Sequence, residues 1–213
     1  MPEPLMSDQV KEYLDALVPE RPDEMKKMEA YAAEHNFPII GPAAGYFCYQ
    51  IARMIGARSV YELGSGYGYS TAWFAKAVKE NGGGIVDHVV WDEELSQMAG
   101  RYLTALGYAD MIRYTVGEAV GALREAAGPF DLIFNDIQKG GYPDSVTVIR
   151  EKLRPGGVLI IDNMLWSGKI FDDNDQSEAT QAIRETTRML TDDAGWIATL
   201  IPIRDGLIVA YKK

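Results

Sequence analysis

The stretch from Ser59 to Lys79 constrains this chain most. Ser-Val-Tyr-Glu-Leu reads as a strand and runs straight into Gly64-Ser65-Gly66-Tyr67-Gly68. A helical pattern then follows from Tyr69 to Lys79. A strand joined to a helix by so short a turn favours a crossover and a parallel neighbour. The alternation continues. Ile85 to Trp91, Ile112 to Val116, Phe130 to Asn135 and Val158 to Ile161 read as strands. Helical patterns at Glu93 to Leu106, Glu118 to Ala126 and Pro143 to Leu153 separate them, and Pro155-Gly156-Gly157 reads as a turn. Val158 to Ile161 is wholly apolar, as suits a central parallel strand covered on both faces. A further helix carries Ala179, Ala182, Ile183, Thr186 and Leu190. Trp196 to Ile201 and Leu207 to Tyr211 then pair about Arg204-Asp205-Gly206, an antiparallel addition at the sheet edge. The class is α/β.

Three helices precede this core. Val10, Tyr13, Leu14 and Leu17 mark one apolar helix face, Pro19 and Pro22 end it, and further helices follow Asp23 and Gly41-Pro42. A length of 213 residues favours one domain, with 1–57 as a helical cap and 58–213 as the core. The charge is 21 − 31 = −10, which argues against a broad nucleic-acid footprint. Cys48 is the only cysteine, so the expected compartment is reducing and cytoplasmic. The acidic opening M-P-E-P-L-M-S-D has no apolar core for a targeting signal, and no stretch is a good membrane span.

The turn is G-x-G-x-G, with Tyr69 where a dinucleotide site would place its last glycine. Glu62 delivers a carboxylate just ahead of it. A carboxylate there suits a cation, such as the ammonium of an amino-acid moiety, better than a pyrophosphate. A tight turn without ligand is the bland alternative. Asp92 ends the next strand, where a ribose partner sits in this layout. It is equally placed to cap the helix at Glu93.

Two later strands also end in acids. Asp136 closes F-D-L-I-F-N, with Lys139 three residues on, and Asp162-Asn163 closes V-L-I-I. If those strands are neighbours, two carboxylates and an amide oxygen converge. That all-oxygen set suits Mg²⁺ better than zinc. Lys139 beside a dication would be poised as a general base. Separate helix or turn caps are the alternative. Elsewhere, Asp172-Asp173-Asn174-Asp175 lacks the glycine of a calcium loop, and Asp175 with Glu178 reads as a capping box. His35 and His88 show no metal spacing, Cys48 reads as a packed thiol, and Trp166 as a pocket wall or packing residue.

Together these residues resemble the cation-dependent O-methyltransferases, the caffeoyl-CoA and catechol O-methyltransferase family with its small bacterial members. Y-E-L-G-S-G-Y-G-Y-S-T resembles the S-adenosylmethionine motif. F-D-L-I-F-N-D-I-Q-K-G-G-Y and L-R-P-G-G-V-L-I-I-D-N-M-L-W-S-G resemble the two metal motifs, and P-I-R-D-G-L-I-V-A the closing hairpin. The resemblance implies a Rossmann-like, seven-stranded, mostly parallel sheet with an antiparallel last strand and an N-terminal helical cap. It implies that Glu62, Gly64 and Ser70 hold the amino-acid end of S-adenosylmethionine and Asp92 the ribose. Gly117 and Ala119 would border the adenine, and Asp136 the cofactor as well as the metal. Asp136, Asp162 and Asn163 would bind Mg²⁺, or Ca²⁺ or Mn²⁺ in its place, and Lys139 would be the base. Gln138 departs from the family's frequent D-A-D-K, and the family's ribose acid aligns on Val90 unless shifted by two. The implied reaction is methylation of one hydroxyl of a catechol-like diol by a homodimer. A tRNA-modifying enzyme on the same scaffold and a non-catalytic S-adenosylmethionine-binding protein are the alternatives.

Overall fold

The computed structural model describes residues 6–213; the opening through Leu5 lies outside the described residues. Three helices, α1 (Asp8–Ala16), α2 (Asp23–His35) and α3 (Gly41–Met54), precede β1 (Ser59–Leu63). The core continues with α4 (Tyr69–Glu80), β2 (Ile85–Val90), α5 (Glu93–Ala105), β3 (Ile112–Val116), α6 (Ala119–Glu125) and β4 (Phe130–Asn135). It closes with α7 (Tyr142–Lys152), β5 (Leu153–Ile161), α8 (Glu178–Thr191), β6 (Trp196–Ile201) and β7 (Leu207–Lys212). The sheet runs β3-β2-β1-β4-β5-β7-β6. β7 alone runs against the other six strands, inserted between β5 and the edge strand β6.

The order reverses between β1 and β4. In open α/β sheets the crevice at such a switch point, beyond the carboxyl ends of the strands, is where ligands bind. Register places the predicted residues there. Leu63 pairs with Asn135, and Asn135 with Ile161. The chain leaves all three strands at one level: Asp136 N–H donates to Leu63 O at 2.9 Å, and Asp162 N–H to Asn135 O at 3.1 Å.

Each sheet face carries its own core. Val60, Phe74, Ala77, Val86, Leu132 and Ile160 pack with Met25, Met28 and Cys48 of the cap helices on one face. Leu63, Leu123, Ile133, Ile149, Leu159 and Ile183 pack on the other. Cys48 is a fully buried thiol, as the sequence predicts. The cap is tied to the glycine turn by two tyrosines. Tyr67 donates its hydroxyl to Met28 O at 2.8 Å, and Tyr69 to Glu29 Oε1 at 2.8 Å.

Three expectations change. β5 begins at Leu153, not Val158. Pro155-Gly156-Gly157 lies within its irregular start, opposite a register shift between Phe130 and Leu132. A proline without an N–H is tolerated where the ladder is already broken. The cap of α8 is Ser177, and Asp175 Oδ1 instead accepts from Ser177 N–H at 2.9 Å and Ser177 Oγ at 2.6 Å. Glu178 therefore opens the helix and cannot close a capping box. The apolar face of α1 is not sunk in the core: Val10, Tyr13 and Leu17 are exposed, and Leu14 alone is half-buried.

Candidate active site

The glycine turn is shaped by contacts as well as by conformation. Gly64 has φ +85, and a Cβ there would stand 2.4 Å from Asp136 O. The first glycine lets β1 and β4 deliver their ends side by side, whatever binds above them. Gly68, with φ +91, precedes α4, so the first-turn N–H groups of Tyr69, Ser70 and Thr71 lie at the turn without a side-chain cap.

Glu62 lies beneath the turn, fully buried. Neither carboxylate oxygen has a hydrogen-bond partner. Burial pushes its pKa up from 4.5 to about 7, with the nearby Ser70 and Thr71 hydroxyls offsetting part of the rise. A buried carboxylate left unpaired is costly, and an ammonium would relieve that cost.

Across the crevice the acids are not free. Lys139 Nζ donates to Asp136 Oδ1 at 2.8 Å, to Tyr142 Oη at 2.9 Å and to Ile137 O at 3.2 Å. Those three acceptors account for all the protons of an ammonium. Tyr142 donates onward to Asp162 O at 2.9 Å. Asp162 is fully buried, and burial pushes its pKa up to about 6 against the opposing pull of Arg204. Asn163 Nδ2 donates to Asp205 Oδ2 at 3.1 Å, which leaves the lone pairs of the amide oxygen to face a cation.

A cavity of about 520 Å³ joins the two sides. Gly64, Ser70, Asp136, Lys139, Asn163 and Trp166 line it, and Phe37 to Ile40 of the α2–α3 link wall it. Asp162 immediately precedes Asn163 and Glu62 lies two residues before Gly64; neither lines the cavity itself. Asp92, Gly117 and Ala119 do not line this cavity. Asp92 caps α5, its Oδ1 accepting from Glu94 N–H at 2.8 Å and Leu95 N–H at 3.0 Å. Gly117 is tied to the end of β2 by its N–H on Val90 O at 3.0 Å, and Ala119 opens α6 as a buried residue. Neither His35 nor His88 joins the site. His88 is buried against Thr71, and burial alone lowers its pKa to about 4.

Sequence reasoning missed Tyr142, Arg204 and Asp205. Arg204 Nη1 donates to Asp162 Oδ2 at 2.7 Å, a contact between residues 42 positions apart. Asn163, Trp166, Ser167 and Arg204 all have positive φ without being glycine. Such backbone concentrates at functional sites.

A doubly covered sheet, a glycine-turn crevice at its switch point and an acid–lysine cluster opposite define a Rossmann-like methyltransferase. The chain belongs to the O-methyltransferase family, whose model matches residues 17–213. It is 29% identical over 217 residues to a catechol O-methyltransferase of Niastella koreensis, covering 97% of each chain. A catechol O-methyltransferase of Mycobacterium tuberculosis is 31% identical over 171 residues, 80% of this chain and 76% of that one. Among solved structures it resembles the O-methyltransferase TomG of Streptomyces achromogenes, involved in tomaymycin synthesis, in complex with S-adenosylmethionine. The TM-score is 0.87 at 26% identity, covering 100% of both chains. The O-methyltransferase of Bacillus cereus in complex with S-adenosylhomocysteine also gives 0.87 at 26%, covering 96% of this chain and 97% of that one. The chain is an S-adenosylmethionine-dependent O-methyltransferase.

Proposed function

We propose that the chain transfers a methyl group from S-adenosylmethionine to one hydroxyl of a small aromatic vicinal diol, with help from a divalent cation. The observation that supports this most is one cavity bordered by the glycine turn, Asp136, Lys139 and Asn163. Names of relatives agree with the acceptor class.

The donor set fits a hard cation by chemistry. Asp136 and Asp162 offer carboxylates and Asn163 an amide oxygen, a mixed oxygen set. Among the described residues no three of His, Cys, Asp and Glu cluster for a metal; in this reading the Asn163 amide oxygen is the third protein ligand, and waters or the substrate hydroxyls complete the shell. When bound, a divalent cation would hold the two adjacent hydroxyls and make the attacking one more acidic.

The chain's own residues do the rest. Glu62, ionised, takes the ammonium of S-adenosylmethionine, while Gly64 and the start of α4 at Ser70 leave room for its backbone-like end. Asp92 takes the ribose through its second oxygen, and Gly117 and Ala119 border the adenine. Lys139 Nζ gives up one ammonium proton to solvent and then, as the amine, accepts the proton of the attacking hydroxyl, while Tyr142 orients that nitrogen. The α2–α3 link and Trp166 keep water from the acceptor. The fold thereby aligns oxygen, methyl carbon and sulfur for in-line displacement, the positioning that dominates when the donor is already reactive.

The matching experiment is methyl transfer to a panel of catechols and monophenols, with and without EDTA. Transfer to catechols that EDTA abolishes and Mg²⁺ restores is expected. Transfer to tRNA but not to catechols would replace this reading, against the charge of −10. We further read residues 1–213 as one domain, because α2 is bonded into the glycine turn. A homodimer covering the exposed face of α1 and a cytoplasmic site of action, from the single reduced cysteine, complete the proposal. Sedimentation showing a strict monomer at high micromolar concentration would remove the dimer. No helix among the described residues is long and apolar enough to cross a membrane.

A further inference from the structure

Arg204 stands in the β6–β7 turn with φ +54, in the left-handed region that side chains seldom adopt. The turn is clamped onto the loop after β5: Met164 N–H donates to Gly206 O at 2.9 Å and Leu165 N–H to Asp205 O at 2.8 Å. Asp205 Oδ1 accepts from Ser167 N–H at 2.6 Å as well. So held, the turn aims the guanidinium back into the crevice, where Nη1 meets Asp162 Oδ2 at 2.7 Å. The other Asp162 oxygen accepts from Asn163 N–H at 2.7 Å. Both oxygens of this buried carboxylate are thus engaged, one by a cation. Asp136 is paired with Lys139. Each of these two carboxylates thus already faces a side-chain cation, while Asp205 is held by the neutral donors of Asn163 and Ser167.

We propose that Arg204 is a tethered competitor for the divalent cation at this site: guanidinium and metal contend for Asp162, and loading the metal requires the Arg204–Asp162 pair to part. This rests on the metal-site reading above. A cation on an Asp162 oxygen would lie roughly 4–5 Å from the guanidinium, close enough for strong repulsion where solvent is thin. The Arg204 side chain is 28% exposed and Asp162 is 0%. Arg204 therefore has a way out to water and Asp162 has none, so the arginine is the partner that moves. The consequence is a weakened metal affinity and an Asp162 carboxylate that stays paired between loadings.

The opposite role would be that of a positioning residue, with Arg204 holding Asp162 in the rotamer the metal needs. The two roles predict opposite signs. The experiment is Mn²⁺ binding by the full chain, read from the electron paramagnetic resonance of free Mn²⁺, for wild type, Arg204→Gln, Arg204→Ala and Arg204→Lys. S-adenosylmethionine is present throughout, and circular dichroism checks folding. Gln retains a donor for Asp162, so one charge-free variant keeps that bond. Competition predicts Mn²⁺ affinity about tenfold or more higher in the Gln and Ala variants, a larger rise in their Tm on adding Mn²⁺, and wild-type affinity in the Lys variant. Equal or weaker affinity in the Gln and Ala variants, with the wild type still binding, overturns the competitor and leaves the metal site standing. No Mn²⁺ bound by any of the four overturns both.

Discussion

The two walls of the crevice are built on opposite principles. On the β1 side, one buried carboxylate has no partner, and a glycine turn leaves helix N–H groups without a side-chain cap. On the β4–β5 side every acid is already answered: Asp136 by Lys139, Asp162 by Arg204, and Asp205 by Asn163 and Ser167. A wall with unmet demand gains most from a ligand of matching charge. A wall that satisfies itself must exchange partners to take one. Cofactor binding should therefore be direct, whereas assembly of the acceptor side should depend on ion pairs opening. Substitutions at Lys139, Glu62 and Asp92 strain this contrast, in falling order of expected effect.

Lys139→Ala should have the largest effect. It removes the group that satisfies Asp136 and the one placed to receive the acceptor proton. Turnover should fall by about 10²–10⁴-fold, the range for a positioned general base, with S-adenosylmethionine affinity nearly unchanged because Glu62 lies on the other wall. Higher pH should restore part of the rate, since solvent can then take the proton. Profiles of kcat against pH for wild type and variant check this; normal turnover at neutral pH would remove Lys139 from the chemistry.

Glu62→Gln tests the unmet wall. Losing the only buried carboxylate there should weaken S-adenosylmethionine by about 10–100-fold, in the range for a charge-assisted bond, as calorimetry would read. The same variant has a second signature in the free protein. The folded pKa of Glu62, about 7, lies above its ordinary 4.5. A carboxyl raised in this way adds no penalty below about pH 4.5, and the folded state loses stability as pH rises toward and through about 7. Gln carries no such penalty. The variant should match wild type at low pH and exceed it above pH 7 by an upper bound of about 3 kcal/mol. Urea titrations at pH 4.5 and 8 in the absence of cofactor decide it, and a gap equal at both pH values would contradict the assignment.

Much of this architecture is legible in the sequence, for reasons that differ by element. β1 and β4 fall where apolar runs predict, because buried parallel strands leave continuous apolar stretches bounded by turn residues; the edge strands β3 and β6 are partly exposed and are legible instead from their β-branched and aromatic residues between turn signals. Asp136 and Asp162 were visible as strand ends, and neighbouring strands make such ends converge. Arg204 was not visible, because its partner lies 42 residues away and is reached only when β7 inserts beside β5. The left-handed backbone that aims it has no signature in an arginine. The face of α1 was visible as a period but not as a surface: spacing shows which residues share a side, not what covers them.

Asp92→Ala carries the smallest effect and sharpens the comparison where the walls meet the cofactor's far end. The structure gives this residue a definite task, with Oδ1 holding two N–H groups of the first turn of α5. Removing such a cap costs about 1 kcal/mol. The second oxygen is not used by the helix, and the side chain is exposed at the end of β2. A ribose hydroxyl bonded there would add a modest, solvent-shared contact, about 1 kcal/mol. The variant should therefore lose about 1 kcal/mol of stability and bind S-adenosylmethionine roughly five- to tenfold more weakly, with kcat unchanged at saturation. Asp92→Ser separates the two tasks, because serine caps a helix nearly as well but its single hydroxyl cannot serve both partners. It should recover most of the stability and little of the affinity. If affinity returns with stability, the ribose contact belongs to another residue and Asp92 acts only as the cap.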